Sequence, residues 1–544
     1  MSKQHQNLRF CQPQPGLDDE QLGSPLATVL AYHERTKHRR ECFARGPANL
    51  DWNAQPHPHR HYEGCDTIAL PFATPELSYH ALFGDIVDSA PLTINNIALL
   101  LEYALSLAAI KVVGHNRWTV RCNPSSGNLH PTEAYLICGA IDGLSAGVYH
   151  YNSEEHVLEQ RAIFASNALD GGCYLALSSV HWREAWKYGE RAYRCCQLDV
   201  GHAIAALRYA AALLGWRISI ENQVADSTTT ALCGVARGED FAGVEQETVE
   251  LLLHLQPGNR YREDELLAAM EGAQWFGQAN LLDPDPFYHW HIIDQVSQAC
   301  KRESTLGAGC SDWNNSNIPA IDTPVAQLIK QRRSALAFQP DINMEKHAFF
   351  AMLNALLIEQ RSLPLDLFPH HPRLHPILFV HRVEGMEPGL YCLPRNRGAT
   401  AALKRSMKTE FIWEPISDQI PLYRLQTGDI QSFAKAISCR QEIASDSAFS
   451  LAMLAEFSGT LASDNDAWRY RELFWEAGML GQILYLEAEA HGYRGTGIDC
   501  FFDDVFHQAL GLTDQQFQSL YHFTVGTPVL DGRITTLPPY STRE

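Results

Sequence analysis

The chain carries one segment twice, and that constrains its fold more than any other feature. Tyr193 to Trp216 reads YRCCQLDVGHAIAALRYAAALLGW, and Tyr470 to Tyr493 reads YRELFWEAGMLGQILYLEAEAHGY. Tyr193 and Tyr470, Gly201 and Gly478, Leu207 and Leu484, Ala211 and Ala488, and Gly215 and Gly492 each differ by 277 positions, without a gap. Apolar residues recur at helical spacing, and both segments end on a glycine suited to a helix cap. A glycine inside a helix costs about 1 kcal/mol against alanine, so Gly201 and Gly478 predict a close helix approach. A repeat of this span makes each copy one structural unit.

A second pair lies upstream. Leu129-His-Pro131 and an apolar run lead to Gly147-Val-Tyr149, and Leu374-His-Pro376 and an apolar run lead to Gly389-Leu-Tyr391. Strand-like runs at Ala134–Ala140, Tyr174–Val180, Ile377–Arg382 and Phe523–Leu530 alternate with helical patterns. The expectation is an α+β fold, a sheet wrapped by helices, built twice and fused into an internal pseudo-dimer. Copy one spans residues 1–300, a polar, unpatterned linker residues 301–323, and copy two residues 324–544. From the matched tyrosine to the matched helix, copy one has 44 residues (Tyr149 to Tyr193) and copy two has 79 (Tyr391 to Tyr470). The extra piece reads as a lid or a surface excursion.

Composition excludes several classes. Of 544 residues, 45% are hydrophobic and 19% charged, enough for large cores. The net charge of −20 argues against nucleic acid as a partner, because phosphate contacts need clustered Lys and Arg. The one dense basic patch, Arg35-Thr-Lys-His-Arg-Arg40, reads as a solvated helix end. The first residues, MSKQHQNLRF, have no apolar segment of the secretory kind. Ile97–Ile110 is the most apolar run, but it holds Glu102 and is too short to span a bilayer, so it reads as a buried helix and no membrane partner is expected. Fourteen cysteines lie scattered without a C-x-x-C pair, which suits a reduced, cytoplasmic chain. His57, His59 and His61 alternate in HPHRHY, but Pro56 and Pro58 favour an irregular loop, and no metal site is expected there.

The densest cluster of turn-forming residues is Arg121-Cys-Asn-Pro-Ser-Ser-Gly-Asn128, followed by an apolar strand. Proline fixes φ, and glycine permits values other residues avoid. Ser125, Ser126 and Asn128 offer short donors and acceptors, which suits a rigid cradle for a flat polar ligand. The same composition suits an ordinary turn.

Taken together, repeat, turn and helix resemble the nitroreductase superfamily of flavin mononucleotide (FMN) enzymes. Pro124, Ser125, Ser126 and Asn128 match its Pro-Ser-Ser-x-Asn turn, and Gln331-Arg332-Arg333-Ser334 matches its Arg-Arg-Ser segment. Glu476-Ala-Gly478, Gly495-Thr496-Gly497, Val525-Gly-Thr-Pro528 and Arg533 match its C-terminal elements. The resemblance covers about residues 90–260 and 320–540. His181-Trp-Arg-Glu-Ala-Trp-Lys187-Tyr188, running on to Asp199-Val-Gly-His202, is similar to the SagB-type branch. That branch includes azoline dehydrogenases, which oxidise thiazoline or oxazoline rings of peptides and carry an adjacent Lys-Tyr pair proposed as base or proton relay.

The resemblance implies that Arg332, Arg333, Ser334 and Arg533 of copy two hold the phosphate, as guanidiniums suit a dianion. Pro124, Ser125, Ser126 and Asn128 of copy one would touch the ring or ribityl chain, with Arg121 beside them, and Gly495, Thr496 and Gly497 would let backbone approach the ring. Lys187 or Tyr188 would act as base. The reciprocal cleft departs from the pattern: Pro369-His-His-Pro-Arg373 replaces the serine turn, and the nearest analogue of Arg-Arg-Ser is Arg35-Thr36-Lys37. One FMN per chain is therefore expected, with NAD(P)H as a possible transient reductant, although no G-x-G-x-x-G fingerprint follows a strand. The substrate would be a small molecule or a modified peptide. The rival functions are an NAD(P)H-dependent nitro or quinone reductase and a degenerate, peptide-binding scaffold. Further homo-oligomerisation stays open.

Overall fold

The structure, a computed structural model, describes residues 23–540 except 85–86, 166–168, 287, 304 and 306–317. The reading of the first residues and the centre of the 301–323 linker lie outside the described residues.

Two sheets repeat one topology. In the first half, strands pair in the order Gln274–Trp275, Val157–Ile163, Gly147–Asn152, Thr132–Cys138, Cys173–Ser179, Thr248–Leu255 and Ile218–Ile220, with Thr67–Ala69 added beside Val157–Ile163. In the second half the order is Glu414–Pro415, Tyr423–Thr427, Gly389–Cys392, Leu374–Val380, Phe449–Glu456, Phe517–Gly526 and Arg494–Ile498. The pairings are antiparallel. Only the outer edge differs in chain order. The strands read as unbroken apolar runs because both faces are covered. Along Thr132–Cys138, Ala134, Leu136 and Cys138 enter the central core, while Tyr135 and Ile137 enter a smaller cluster behind the sheet. Leu378 and Val380 face the centre in the second half, and Ile377 and Phe379 the outer cluster.

Between the sheets lie two long helices, Ala192–Ala212 and Arg469–Ala490, almost wholly buried. They cross at the repeat's two glycines. A Cβ on Gly201 would overlap the Trp475 carbonyl, and one on Gly478 would overlap that of Leu198 and lie 2.9 Å from the Gly201 Cα. Nothing larger than hydrogen fits at this crossing. The halves also exchange arms. Thr535–Leu537, near the C-terminus, pairs with Ile110–Val112 of the first half. The Pro25–Arg35 helix brings His33 to Tyr470 Oη (3.2 Å) and Gln518 (3.4 Å).

Several expectations need correction. Ile97–Ile110 is not one helix: the helix is Ile94–Ala104, and Leu107–Val113 is a strand paired with Asn116–Arg121. An apolar run gives no period to separate the two, and the β-branched Ile110, Val112 and Val113 decide its second half. The strand expected at Phe523–Leu530 is Phe517–Gly526. The Leu-His-Pro match is three residues out of register. Cys138 opposite Gly147 corresponds to Val380 opposite Gly389, so Leu129–Pro131 precede a strand while Leu374–Pro376 begin one. The basic patch is only partly a solvated helix end, because Arg35 pairs with Glu190 and Lys37 is buried against Glu34 and Asp504. The chain is not wholly reduced: Cys439 and Cys500 form a disulfide across a sequence separation of 61 that no short motif reveals. Within the longer connection of copy two, Glu414–Pro415 pairs with Tyr423–Thr427 at the edge of the second sheet, and Trp413 lies against Tyr423. Among the described residues, no helix is long and apolar enough to cross a membrane.

Candidate functional site

The 121–130 turn is strained. Gly127, Asn128 and His130 all have positive φ, at 61°, 62° and 53°. Glycine and asparagine take this conformation readily, histidine seldom. The strain is held by hydrogen bonds. The Ser126 N–H and hydroxyl donate to Asp199 (3.0 and 3.1 Å), the His130 N–H donates to Ser125 Oγ (2.8 Å), and Asn128 Nδ2 donates to the Thr119 carbonyl (2.9 Å). Pro124 sits half-buried at the start of the turn. Strained backbone held this firmly is a common mark of a ligand-binding site.

Lys187 and Tyr188 end the His181–Tyr188 helix, which runs on to the first long helix. Both side chains reach Gly127: a Cβ there would lie 2.7 Å from Lys187 Nζ and 2.7 Å from Tyr188 Oη. The glycine therefore makes room for the Lys-Tyr pair as well as for the turn. Glu184, one helical turn before them, has Oε1 3.5 Å from Ser125 Oγ, and its Oε2 is buried without a partner. Burial pushes the Glu184 carboxyl well above its usual range, and Asp199 and Asp499 add to the shift. Burial also raises Asp199 to about 7. Lys187 is lowered by burial, against the pull of Glu184. Burial raises Tyr188 well above 10.0, which keeps it a phenol.

The second half supplies the facing wall. Arg332 donates from Nε to the Cys122 carbonyl (3.1 Å) and from Nη2 to the Arg121 carbonyl (3.2 Å), so it grips the lead-in to the turn. Its Nη1 is buried without a partner, and so is Arg333 Nε. Burial lowers Arg332. Arg333 is pulled to about 10 by burial and then by Arg332 itself. Two crowded, desolvated guanidiniums with idle donors are deficient in negative charge, and the phosphate of FMN matches that deficit. Ser334 Oγ lies 2.8 Å from Tyr485 Oη, which accepts the Gly497 N–H (3.1 Å). A Cβ on Gly495 would strike Phe523, and one on Gly497 would strike Tyr521. Thr496 donates its hydroxyl to the Ala335 carbonyl (2.7 Å).

The structure thus brings Pro124, Ser125, Ser126, Asn128, Lys187 and Tyr188 of the first half together, with Arg332 of the second at the turn's lead-in. Arg333, Ser334 and Gly495–Gly497 adjoin Arg332. Two expected residues point elsewhere. The Arg121 guanidinium is buried against the Thr132 and Pro58 carbonyls and His59. Arg533 is 84% exposed and paired with Asp531 (2.7 Å). Glu184 and Asp199 stand in the quoted motif without an assigned role, and Tyr485 was not singled out in the sequence. The repeat carried a signal for Asp199: its counterpart 277 positions on is Glu476, which also accepts backbone N–H groups of a turn, from Arg373 and Leu374.

The reciprocal cleft is closed by its own side chains. Glu476 is engaged by Arg395, and Arg373 and His370 both meet Glu472 (3.0 and 3.4 Å). The space left there, lined by Ile358, Phe368, His370 and Pro372, measures about 10 Å³. In Arg35-Thr36-Lys37, the nearest analogue of Arg-Arg-Ser, Arg35 is paired with Glu190 and Lys37 is buried against Glu34 and Asp504.

Known proteins share parts of this arrangement. A family model described as "Nitroreductase family" matches residues 329–527. Over 155 residues the chain is 33% identical to the trifolitoxin-processing protein TfxB of Rhizobium leguminosarum bv. trifolii, a match covering 25% of this chain and 41% of that protein. The crystal structure of a protein from Anabaena variabilis described as a nitroreductase superposes with a TM-score of 0.66 at 20% identity, covering 92% of this chain and 99% of the other. The fold is nitroreductase-like, and the likeness runs through both halves.

Proposed function

We propose that this chain is an FMN-dependent oxidoreductase with one flavin per chain, held between the halves, and that it acts as a SagB-type dehydrogenase on an azoline ring of a peptide. The observation that carries the reading is the junction at the turn. Arg332 of the second half grips the backbone leading to the strained turn, and Lys187 and Tyr188 of the first half converge on Gly127 at its centre. Similarity to a protein named for processing trifolitoxin favours a peptide over a small nitro compound. In this reading copy one ends near residue 300 and copy two begins near 324.

Arg332 and Arg333 would hold the phosphate with their idle donors, and Ser125, Ser126 and Asn128 would line the ring and ribityl side. FMN, once bound, supplies a hydride acceptor. Converting an azoline to an azole removes one hydride and one proton. Lys187 takes the proton at Nζ, since burial lowers its pKa from the usual lysine value and so favours the neutral form that acts as a base. Tyr188 stays a hydrogen-bond donor and orients the ring. The aromatic product and the peptide then leave together.

An absorption spectrum with flavin quantitation after denaturation tests the first part. About one FMN per chain supports the reading; a colourless chain unable to take up FMN favours the scaffold, and a ratio near two contradicts the single site. Turnover of a thiazoline-bearing peptide, read as loss of two mass units, tests the second.

A further inference from the structure

The segment Trp52–Tyr62 straps across the first half, and it holds a cluster that the flavin site does not use. His57 and His61 lie on one side of this strap with their rings 5.9 Å apart, while His59 turns inward against Arg121. Glu154 approaches from the turn after the Gly147–Asn152 strand, and its Oε2 lies 2.9 Å from His61 Nε2. Potential ligand atoms of His57, His61 and Glu154 all fall within 4.8 Å of one another.

We propose that His57, His61 and Glu154 bind a divalent transition metal of the zinc class. Two imidazoles and a carboxylate are borderline donors suited to zinc, with the remaining positions open to water. Ligand atoms about 2.1 Å from a tetrahedral ion lie about 3.4 Å from each other, so the observed cluster needs only a small contraction. Outer contacts already orient the rings. His57 Nδ1 is engaged by the His59 backbone, 3.0 Å from its carbonyl and 3.3 Å from its N–H, which leaves Nε2 as the ligand atom. His61 Nδ1 meets Asn152 Nδ2 at 2.7 Å and Glu159 at 3.7 Å; when Nε2 binds metal, Nδ1 carries the N–H and turns to the Glu159 carboxylate. The ion replaces the proton shared by His61 and Glu154.

The site joins two separate elements. The strap is tied to the Lys187 helix by Arg183 Nε, which donates to the His57 carbonyl (3.1 Å), and it lays Trp52 over Lys187 Nζ at 5.7 Å and against Trp186. A metal at His57 and His61 clamps this cover to the sheet. A second cluster, His289, His291 and Asp294, is wholly exposed and belongs to one short stretch, so it serves as the control.

The test is calorimetric titration of the chelator-treated full chain with Zn²⁺, independent of flavin. The wild type is expected to show one tight site. His57→Gln and Glu154→Gln, which change different elements, each weaken that site about 100-fold, and His289→Gln/His291→Gln leaves it unchanged. Circular dichroism in chelator verifies that each variant is folded. Zinc is also expected to slow proteolysis within residues 45–61 of the wild type but not of His57→Gln. A tight site that survives both His57→Gln and Glu154→Gln, or disappears only in the control, overturns the proposal. So does a wild type that binds zinc no better than His57→Gln. Unchanged proteolysis overturns the clamp.

Discussion

The two turns that lead into the central strands of the two sheets meet the same kind of carboxylate and have opposite characters. In the first half Asp199 braces a turn of small residues, and the cationic wall opposite keeps idle donors. In the second, Glu476 braces a turn of histidines, proline and arginine; Arg395 pairs with Glu476, and Arg373 with Glu472. Both turns rest on one repeated scaffold. The difference teaches that a binding cleft here is defined by what is left unsatisfied: crowded arginines and a strained backbone on one side, internal neutralisation on the other.

The comparison can be broken at its most active point first. Lys187→Ala is expected to lower turnover about 1,000-fold with FMN content retained, as loss of a general base does; steady-state kinetics beside flavin quantitation checks it. The wild-type rate should climb with pH as Lys187 loses its proton, with the inflection below the usual lysine value of 10.5 because burial lowers it. Next, Arg332→Ala/Arg333→Ala should weaken FMN binding by more than about 100-fold, given roughly 1.5–3 kcal/mol for each of two charge-assisted bonds, read by fluorescence titration. Equal affinity in wild type and variant would remove the basis for assigning the phosphate to this wall.

Smaller effects sharpen the picture. Gly478→Ala should destabilise the chain by about 1–3 kcal/mol, the usual penalty for overpacking, seen in the urea midpoint, because the Leu198 carbonyl has nowhere to go. Asp199 has its carboxyl raised to about 7 in the fold against 3.8 ordinarily. Its contribution to stability is therefore fully present below about pH 4 and lost as pH rises to about 7. Asp199→Asn should flatten the stability profile between those limits relative to wild type. Smallest of all, His370→Ser/His371→Ser should leave the flavin ratio unchanged, since Arg35 and Lys37, the nearest analogue of the arginine pair, stay engaged by Glu190 and by Glu34 and Asp504. A second bound flavin in that variant would show the turn alone to be decisive.

Much of this was legible before any coordinates. The 277-residue repeat indicated two like halves, and mid-helix Gly201 and Gly478 indicated a helix crossing. The serine turn, the Lys-Tyr pair and the arginine pair were readable as motifs, and the fold brings the turn together with Lys187, Tyr188 and Arg332. The misreadings have physical causes. Ile97–Ile110 is apolar without a period, so its change from helix to strand leaves no trace in a hydrophobicity pattern. Arg121 and Arg533 turn away from the other expected residues because a guanidinium on a long side chain turns to its nearest carbonyl or carboxylate, here Thr132 and Asp531. Cys439 and Cys500 meet only through the tertiary fold.

The glycine crossing of the long helices has a consequence for how such a protein diverges. When two separate subunits assemble with twofold symmetry, each substitution strikes both clefts at once, and a loss in one is a loss in the other. Here the partner is covalently tethered, so the clefts form at any dilution and no monomer is released. Each half is therefore free to change alone. Pro124-Ser-Ser-Gly-Asn128 in one copy and Pro369-His-His-Pro-Arg373 in the other are differences that a symmetric pair of identical chains is unable to encode.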